Sequence, residues 1–257
     1  IAPQITAINA PTKKFSAKIV PTPDATDSTV YQFYNGNWAG DGVYLHTAEL
    51  KTAYDANTSN WRYEACNNVY QMRPATHEKG PGQNTFASGT KSIEVMASEG
   101  TWFAIRIQSP GAGKYDLTYT HGAKAAGAQV GSMYIIKASE LEAELGANAQ
   151  AYSAAMSADP YQENGTTDIY TAYVAAVNKA LEGKASVINS NYYASSTTSG
   201  LTDTGRFGFE ADTEYLVIFK AVKKTPGEST ARLLISSLTA TYSNDQVSGD
   251  SVAEEDN

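Results

Sequence analysis

The residues of this chain best suited to chemistry are aromatic. The sequence of 257 residues holds 17 Tyr and 3 Trp against 7 Phe. A ring with an apolar face and a polar edge suits a ligand that is greasy on one side and hydroxylated at its rim, as a sugar is. Trp38 lies in the Gly/Asn run Asn35–Gly42 (NGNWAGDG), a setting foreign to a core tryptophan, and Tyr34 and Tyr44 flank it. Trp61 opens a strand after the polar loop Asp55–Asn60. Sugar hydroxyls also need donors and acceptors around the stacking face, and Asn35, Asn37, Asp41, Asn60, Arg62, Gln71 and Arg73 supply them nearby in sequence. The expected ligand-binding set is Trp38, Trp61, Tyr34, Tyr44, Asn37 and Arg62, with Tyr192 of the Tyr192–Tyr193 pair as an addition. The competing explanation is that β sheets favour Tyr and Thr whatever they bind. Trp102 reads as structural, although it shares a strand face with Arg106 and Gln108.

Other chemistries find less material. The three histidines, His46, His77 and His121, are far apart, and the sequence lacks H-E-x-x-H, G-x-S-x-G, C-x-x-C and phosphate-binding glycine motifs. Asp41, Glu49, Glu64, Glu94 and Asp116 could supply a glycosidase pair, but acids of this kind occur in any chain of this size and are mostly solvated. No catalytic residues are expected. Cys66 is the single thiol, so no internal disulfide staples the fold, and it reads as a small buried apolar side chain. No cofactor is assigned. A structural Ca²⁺ stays open, because loop Asp, Asn and carbonyl oxygens hold such ions in β sandwiches. Asp24, Asp27, Asp41, Asp203 and Asp212 lie near strand ends, without EF-hand spacing, and no metal ligands follow from that. A net charge of −8 with only isolated lysine pairs argues against nucleic acid as a partner. No apolar run approaches the ~20 residues of a membrane helix, so no membrane insertion is expected.

The elements that must position these residues read as mainly β. The stretch Thr101–Thr120 (TWFAIRIQSPGAGKYDLTYT) holds two alternating runs. Phe103, Ile105 and Ile107 share one face of the first, and Tyr115, Leu117 and Tyr119 share one face of the second. Ser109–Gly113 between them has the Pro and Gly of a hairpin loop. Further strands are expected at Val30–Tyr34, Val43–Leu45, Trp61–Met72, Lys91–Met96, Gly131–Lys137, Ser186–Asn189, Gly205–Phe209, Thr213–Lys220 and Ala231–Tyr242, with Phe15–Val20 a weaker one. In Trp61–Met72, Trp61, Tyr63 and Ala65 alternate against Arg62, Glu64 and Cys66. The wholly apolar run Tyr215–Phe219 (YLVIF) predicts a central strand covered on both faces. Thr47–Tyr54 predicts one helical turn. A helix starting at Ser139, and a second over Asp168–Glu182 with Ile169, Tyr173, Val177 and Leu181 at every fourth position, form a helical insert over 139–183. Pro74–Gly89 and Asn191–Gly205 are long loops.

Together these predict a β-sandwich (jelly-roll-like) domain over 28–243, an extended leader or linker over 1–27, and an acidic linker over 244–257. A chain that begins at Ile1 without a signal peptide reads as a mature or excised fragment.

The block GTWFAIRIQSPGAGKYDLTYTH, with ADTEYLVIFKA and RLLISSLTATY, resembles a β-sandwich module of large secreted carbohydrate-active and surface proteins of gut Firmicutes. The whole chain with its acidic tail resembles a binding module of the starch adherence system proteins of amylosome-forming gut bacteria. That resemblance implies a secreted or cell-surface, non-catalytic module, part of a larger multimodular chain, that holds polysaccharide (starch-type α-1,4-glucan) on stacking aromatics. It supplies no ligand motif residue by residue, and the helical insert departs from a plain sandwich. Two readings from other classes stay open: a structural or adhesive surface domain with a protein partner, and an accessory domain of a polysaccharide-degrading enzyme.

Overall fold

The computed structural model describes residues 28–33, 48–66, 82–85, 91–95, 100–123, 129–150, 168–190, 201–223 and 233–243. The expected leader over 1–27, with its expected strand at Phe15–Val20, and the expected linker over 244–257 lie outside them. The described strands are β1 (Ser28–Gln32), β2 (Trp61–Cys66), β3 (Gly82–Thr85), β4 (Lys91–Val95), β5 (Trp102–Gln108), β6 (Gly113–Ala123), β7 (Gln129–Lys137), β8 (Ile188–Ser190), β9 (Leu201–Phe209), β10 (Glu214–Lys223) and β11 (Leu233–Tyr242). The helices are α1 (Ala48–Asp55), α2 (Ala138–Leu145) and α3 (Asp168–Leu181).

The strands pair antiparallel in two sheets. One has the order β3-β4-β11-β6-β9 with β1 also on β11, and the other the order β2-β5-β10-β7-β8. The fold is therefore a β sandwich, as the alternation predicts. Its interior is filled from both sheets: Phe103, Ile105 and Ile107 of β5, Tyr215, Val217 and Phe219 of β10, Tyr115, Leu117 and Tyr119 of β6, and Ile235, Leu238 and Ala240 of β11. Each large side chain so buried stabilises the fold by about 1.5–3 kcal/mol relative to exposure.

The second sheet is covered on its outer side too. Leu216 and Ile218 of β10 point away from the interior and pack with Trp102, Ala104, Leu141 and Leu145, and with Tyr173, Val174 and Val177 of α3. The apolar run YLVIF is thus shared between two cores, and the helices form a third layer. Trp102 is fully buried there, with its Nε1 donating to Asn178 Oδ1 at 3.0 Å. Helix α2 starts one residue earlier than its serine suggests. The backbone N–H of Lys137 donates to Glu140 Oε2 at 2.9 Å, so a glutamate three residues on closes the turn.

The hairpin expected at Thr101–Thr120 does not form. β5 pairs with β2 and β10, whereas β6 pairs with β11 and β9. Ser109–Gly113 instead arches from one sheet to the other, so the apolar faces of β5 and β6 meet across the interior. Gly111 has φ +137°, and a Cβ there would come within 2.8 Å of the Tyr115 hydroxyl, which donates to the Pro110 carbonyl at 3.3 Å. The expected loop Pro74–Gly89 also contains a strand, the short edge strand β3.

Candidate functional site

The site begins with a fault in the register of β2. Tyr63 lies opposite Ile105, but Ala65 lies opposite Ala104, so Glu64 is the extra residue of a β-bulge. Strict alternation would leave Ala65 beside Trp61 and Tyr63. The bulge instead sends Ala65 into the cluster beneath the helices, while Glu64, on the outer side with Arg62 by simple alternation, meets Arg106 there.

Arg106 lies beyond Trp102 and Ala104 on the outer face of β5, where the helical cover ends. Its Nε and Nη2 donate to Glu64 Oε2 and Oε1 at 3.1 and 3.0 Å, and its Nη1 donates to Glu214 Oε2 at 2.7 Å. Glu142 Oε1 stands 3.7 Å from the same Nη1. The Tyr173 hydroxyl donates to Glu64 Oε1 at 2.6 Å and ties α3 to the pair. Burial pushes the Glu64 carboxyl up, but the Arg106 and Arg62 guanidiniums, with the hydrogen bonds from Arg106 and Tyr173, outweigh it and hold the group at about 2. A carboxylate held ionised in this way cannot give a proton to a leaving group, which requires a raised value.

Arg62 is directly opposite Arg106 in the β2–β5 pairing. Its Cζ stands 5.0 Å from the centroid of the Tyr54 ring of α1, a cation–π contact. Tyr54 is buried, and its hydroxyl is pushed well above the ordinary range, first by burial and then by Glu214. Helix α1 is held by the Lys51–Asp55 ion pair.

Lys51, Asp55, Arg62, Glu64, Arg106, Glu142 and Tyr173 line a cleft of about 760 Å³ between the helical layer and β2, completed by Tyr63, Leu145, Ala149, Gln150 and the Gly146–Ala147 turn. Its charged lining is Lys51, Arg62 and Arg106 against Asp55, Glu64 and Glu142. The cleft is therefore polar without carrying a strong charge of either sign. What it offers is an array of hydrogen-bond donors and acceptors fixed by ion pairs.

Among the expected ligand-binding residues, Arg62 lines this cleft. Trp61 does not. Its side chain is 6% exposed within the sandwich core, edge-on to Phe33 with centroids 5.9 Å apart. It shares a face with Tyr63 and lies opposite Ile107, so its strand parity turns it inward and leaves no face for stacking. Tyr34, Asn37, Trp38, Tyr44 and Tyr192 lie outside the described residues, as do Asn35, Asp41, Gln71 and Arg73. Asn60 donates to the Val30 carbonyl at 3.0 Å. Among the described residues no three His, Cys, Asp or Glu side chains gather to hold a metal ion; Asp203 is engaged with buried His121. Glu142, Tyr173 and Gln150 of the cleft had no signal in the sequence. Arg106 had one, being the lone charge within β5.

No family model matches the chain, and no curated protein matches it. Among solved structures, a family 35 carbohydrate-binding module from Clostridium thermocellum is 8% identical, over 84% of this chain and 98% of that one, with a TM-score of 0.39. A CBM35 from Cellvibrio japonicus is 10% identical over 83% and 92%, with a TM-score of 0.38. The C-terminal CBM6 of a laminarinase from Zobellia galactanivorans is 11% identical over 63% and 87%, with a TM-score of 0.34.

Proposed function

We propose that this chain is a non-catalytic module that binds polysaccharide, with starch-type α-1,4-glucan the leading ligand. The observation that carries the reading is the cleft beside Arg62. Three cations face three carboxylates along its wall, which favours a neutral ligand over an anion or a cation, and the rigid donors and acceptors suit a ligand dense in hydroxyls. In this reading Tyr34, Trp38, Tyr44 and Tyr192 add stacking faces and Asn37 a rim donor. The resemblance seen in the sequence supports the choice of α-glucan, a secreted or cell-surface location and a place in a larger multimodular chain. The ionised Glu64 supports binding without turnover.

Native affinity electrophoresis in gels containing amylopectin, xylan, pectin or no glycan tests the proposal. Retardation by amylopectin is expected. Migration unchanged by every glycan would overturn polysaccharide binding, and release of reducing sugar by the purified protein would overturn the non-catalytic reading.

A further inference from the structure

We infer that Arg62 is the specificity-determining residue of the cleft and that it reads a vicinal diol, the free 2- and 3-hydroxyls of a neutral hexose unit. The inference rests on the reading of the cleft as a saccharide site and deepens it.

Three observations carry it. The first is availability. Arg106 is tied to Glu64, Glu214 and Glu142, and Lys51 to Asp55, whereas no ion pair or hydrogen bond among the described residues holds the Arg62 guanidinium. Its Nε is sealed from solvent without a partner, so a ligand meets the terminal Nη groups of this half-buried side chain, which lines the cleft. The second is preorganisation. The buried Tyr54 ring holds the guanidinium in a cation–π contact, so less side-chain freedom is lost when a ligand binds. The third is charge. Arg62 faces a neighbourhood in which Arg106 alone is met by three carboxylates. These carboxylates already offset the charge of Arg62, so the cleft stays close to neutral and gives a uronate no net attraction. A planar fork of two parallel N–H donors that cannot favourably take a carboxylate is matched by two adjacent hydroxyl oxygens.

The geometry has a consequence for linkage. A 1,4-linked or 1,6-linked glucan leaves the 2- and 3-hydroxyls free on every unit. A 1,3-linked glucan uses the 3-hydroxyl in the chain and keeps the pair only at its non-reducing end. The cleft should therefore prefer the first two.

Isothermal titration of the whole chain with maltoheptaose, isomalto-oligosaccharide, laminariheptaose and oligogalacturonate, at low and high salt, tests this. Maltoheptaose and the 1,6-linked ligand should bind at least about tenfold more tightly than laminariheptaose, the discrimination expected from charge-assisted hydrogen bonds. Their affinity should not change with salt, as for an uncharged ligand. Arg62→Gln, and Arg62→Lys, which keeps the charge but loses the fork, should each weaken maltoheptaose about tenfold or more. Equal binding of the 1,3- and 1,4-linked chains would overturn the inference, as would wild-type affinity in a folded Arg62→Gln chain. Tighter, salt-sensitive binding of oligogalacturonate would make Arg62 a carboxylate reader instead. Should either variant fail to fold, the linkage comparison on the wild-type chain decides the question. A wild-type chain that binds none of the four would overturn the saccharide reading itself, an outcome distinct from indifference to Arg62.

Discussion

Replacing Glu64 with glutamine keeps the side chain's size and removes its charge from the floor of the cleft. Arg106 would lose the hydrogen bond at 3.1 Å, because the amide NH2 cannot accept it, and its second bond and that of Tyr173 would go to a neutral oxygen. Removing one member of a buried ion pair costs about 3–5 kcal/mol. The lower end applies here, because Glu214, with a side chain 44% exposed, still holds Nη1. The acid–base linkage gives a similar magnitude. The carboxyl is lowered from 4.5 to about 2, which corresponds to about 3 kcal/mol of stability at neutral pH. In a chain of this size that is a fall in Tm of about 6–12 °C. The sign with pH follows from the lowered value. Above 4.5 the stabilisation is complete, and it is lost as pH falls through the interval down to about 2, where the unfolded chain takes up a proton that the folded chain refuses. Urea melts of the wild type and Glu64→Gln at pH 7 should differ by about 3 kcal/mol, and at pH 3 the gap should shrink by roughly half. A difference below about 1 kcal/mol at pH 7, or a gap that does not change with pH, would refute a dominant role for this pair.

Trp61→Ala should cost about 3–5 kcal/mol in a urea melt, as a large ring removed from a packed core does, while the folded protein keeps the wild-type glycan affinity; a loss of binding without loss of stability would show the indole to be ligand-facing. Gly205→Ala should lower Tm by the equivalent of about 1–3 kcal/mol, because its Cβ would come within 2.5 Å of the Val187 carbonyl oxygen where β8 and β9 meet. His121 is lowered from its ordinary 6.5, first by burial and against the opposing pull of Asp203. Stability should therefore fall as pH drops below 6.5, where only the unfolded imidazole gains a proton, and His121→Gln should remove that component from urea midpoints measured between pH 7.5 and 5.5.

How far the fold could be read from sequence depends on which feature alternation reports. The run Tyr215–Phe219 was legible because covering a strand on both faces requires apolar residues at every position, and both cores use them. The partnership of β5 and β6 was not. Two amphipathic strands joined by a Pro/Gly loop show the same faces whether they lie edge to edge in one sheet or face to face across two. The choice is made by β10 and β11, more than 90 residues further on, which take the edges of β5 and β6. Trp61 could have been placed by parity with Tyr63, but the polar loop before it suggested exposure, and strand direction prevailed over loop context.

Arg62 is legible by residue type, but the cleft around it is not, because its walls come from β5, α2 and α3, far from β2 in the sequence. Arg62 and Arg106 stand opposite each other as like charges, an arrangement that destabilises a sheet unless carboxylates offset it. Glu64, two residues on from Arg62 and on the same outer face, supplies Arg106 with a carboxylate while Trp61 and Tyr63 keep their inward parity. Nothing in WRYEAC marks the extra residue, because the six letters alternate as well without it. Once Glu64 has satisfied Arg106, the pair forms a neutralised floor, and the opposing arginine is left facing the cleft on its tyrosine support. The same residue that holds the sheet and helical layer together thus sets which guanidinium is available to a ligand. Glu64→Gln should accordingly weaken glycan binding as well as stability, since Arg106, losing its ionised partner on the cleft floor, would disturb the arrangement in which Arg62 faces the ligand.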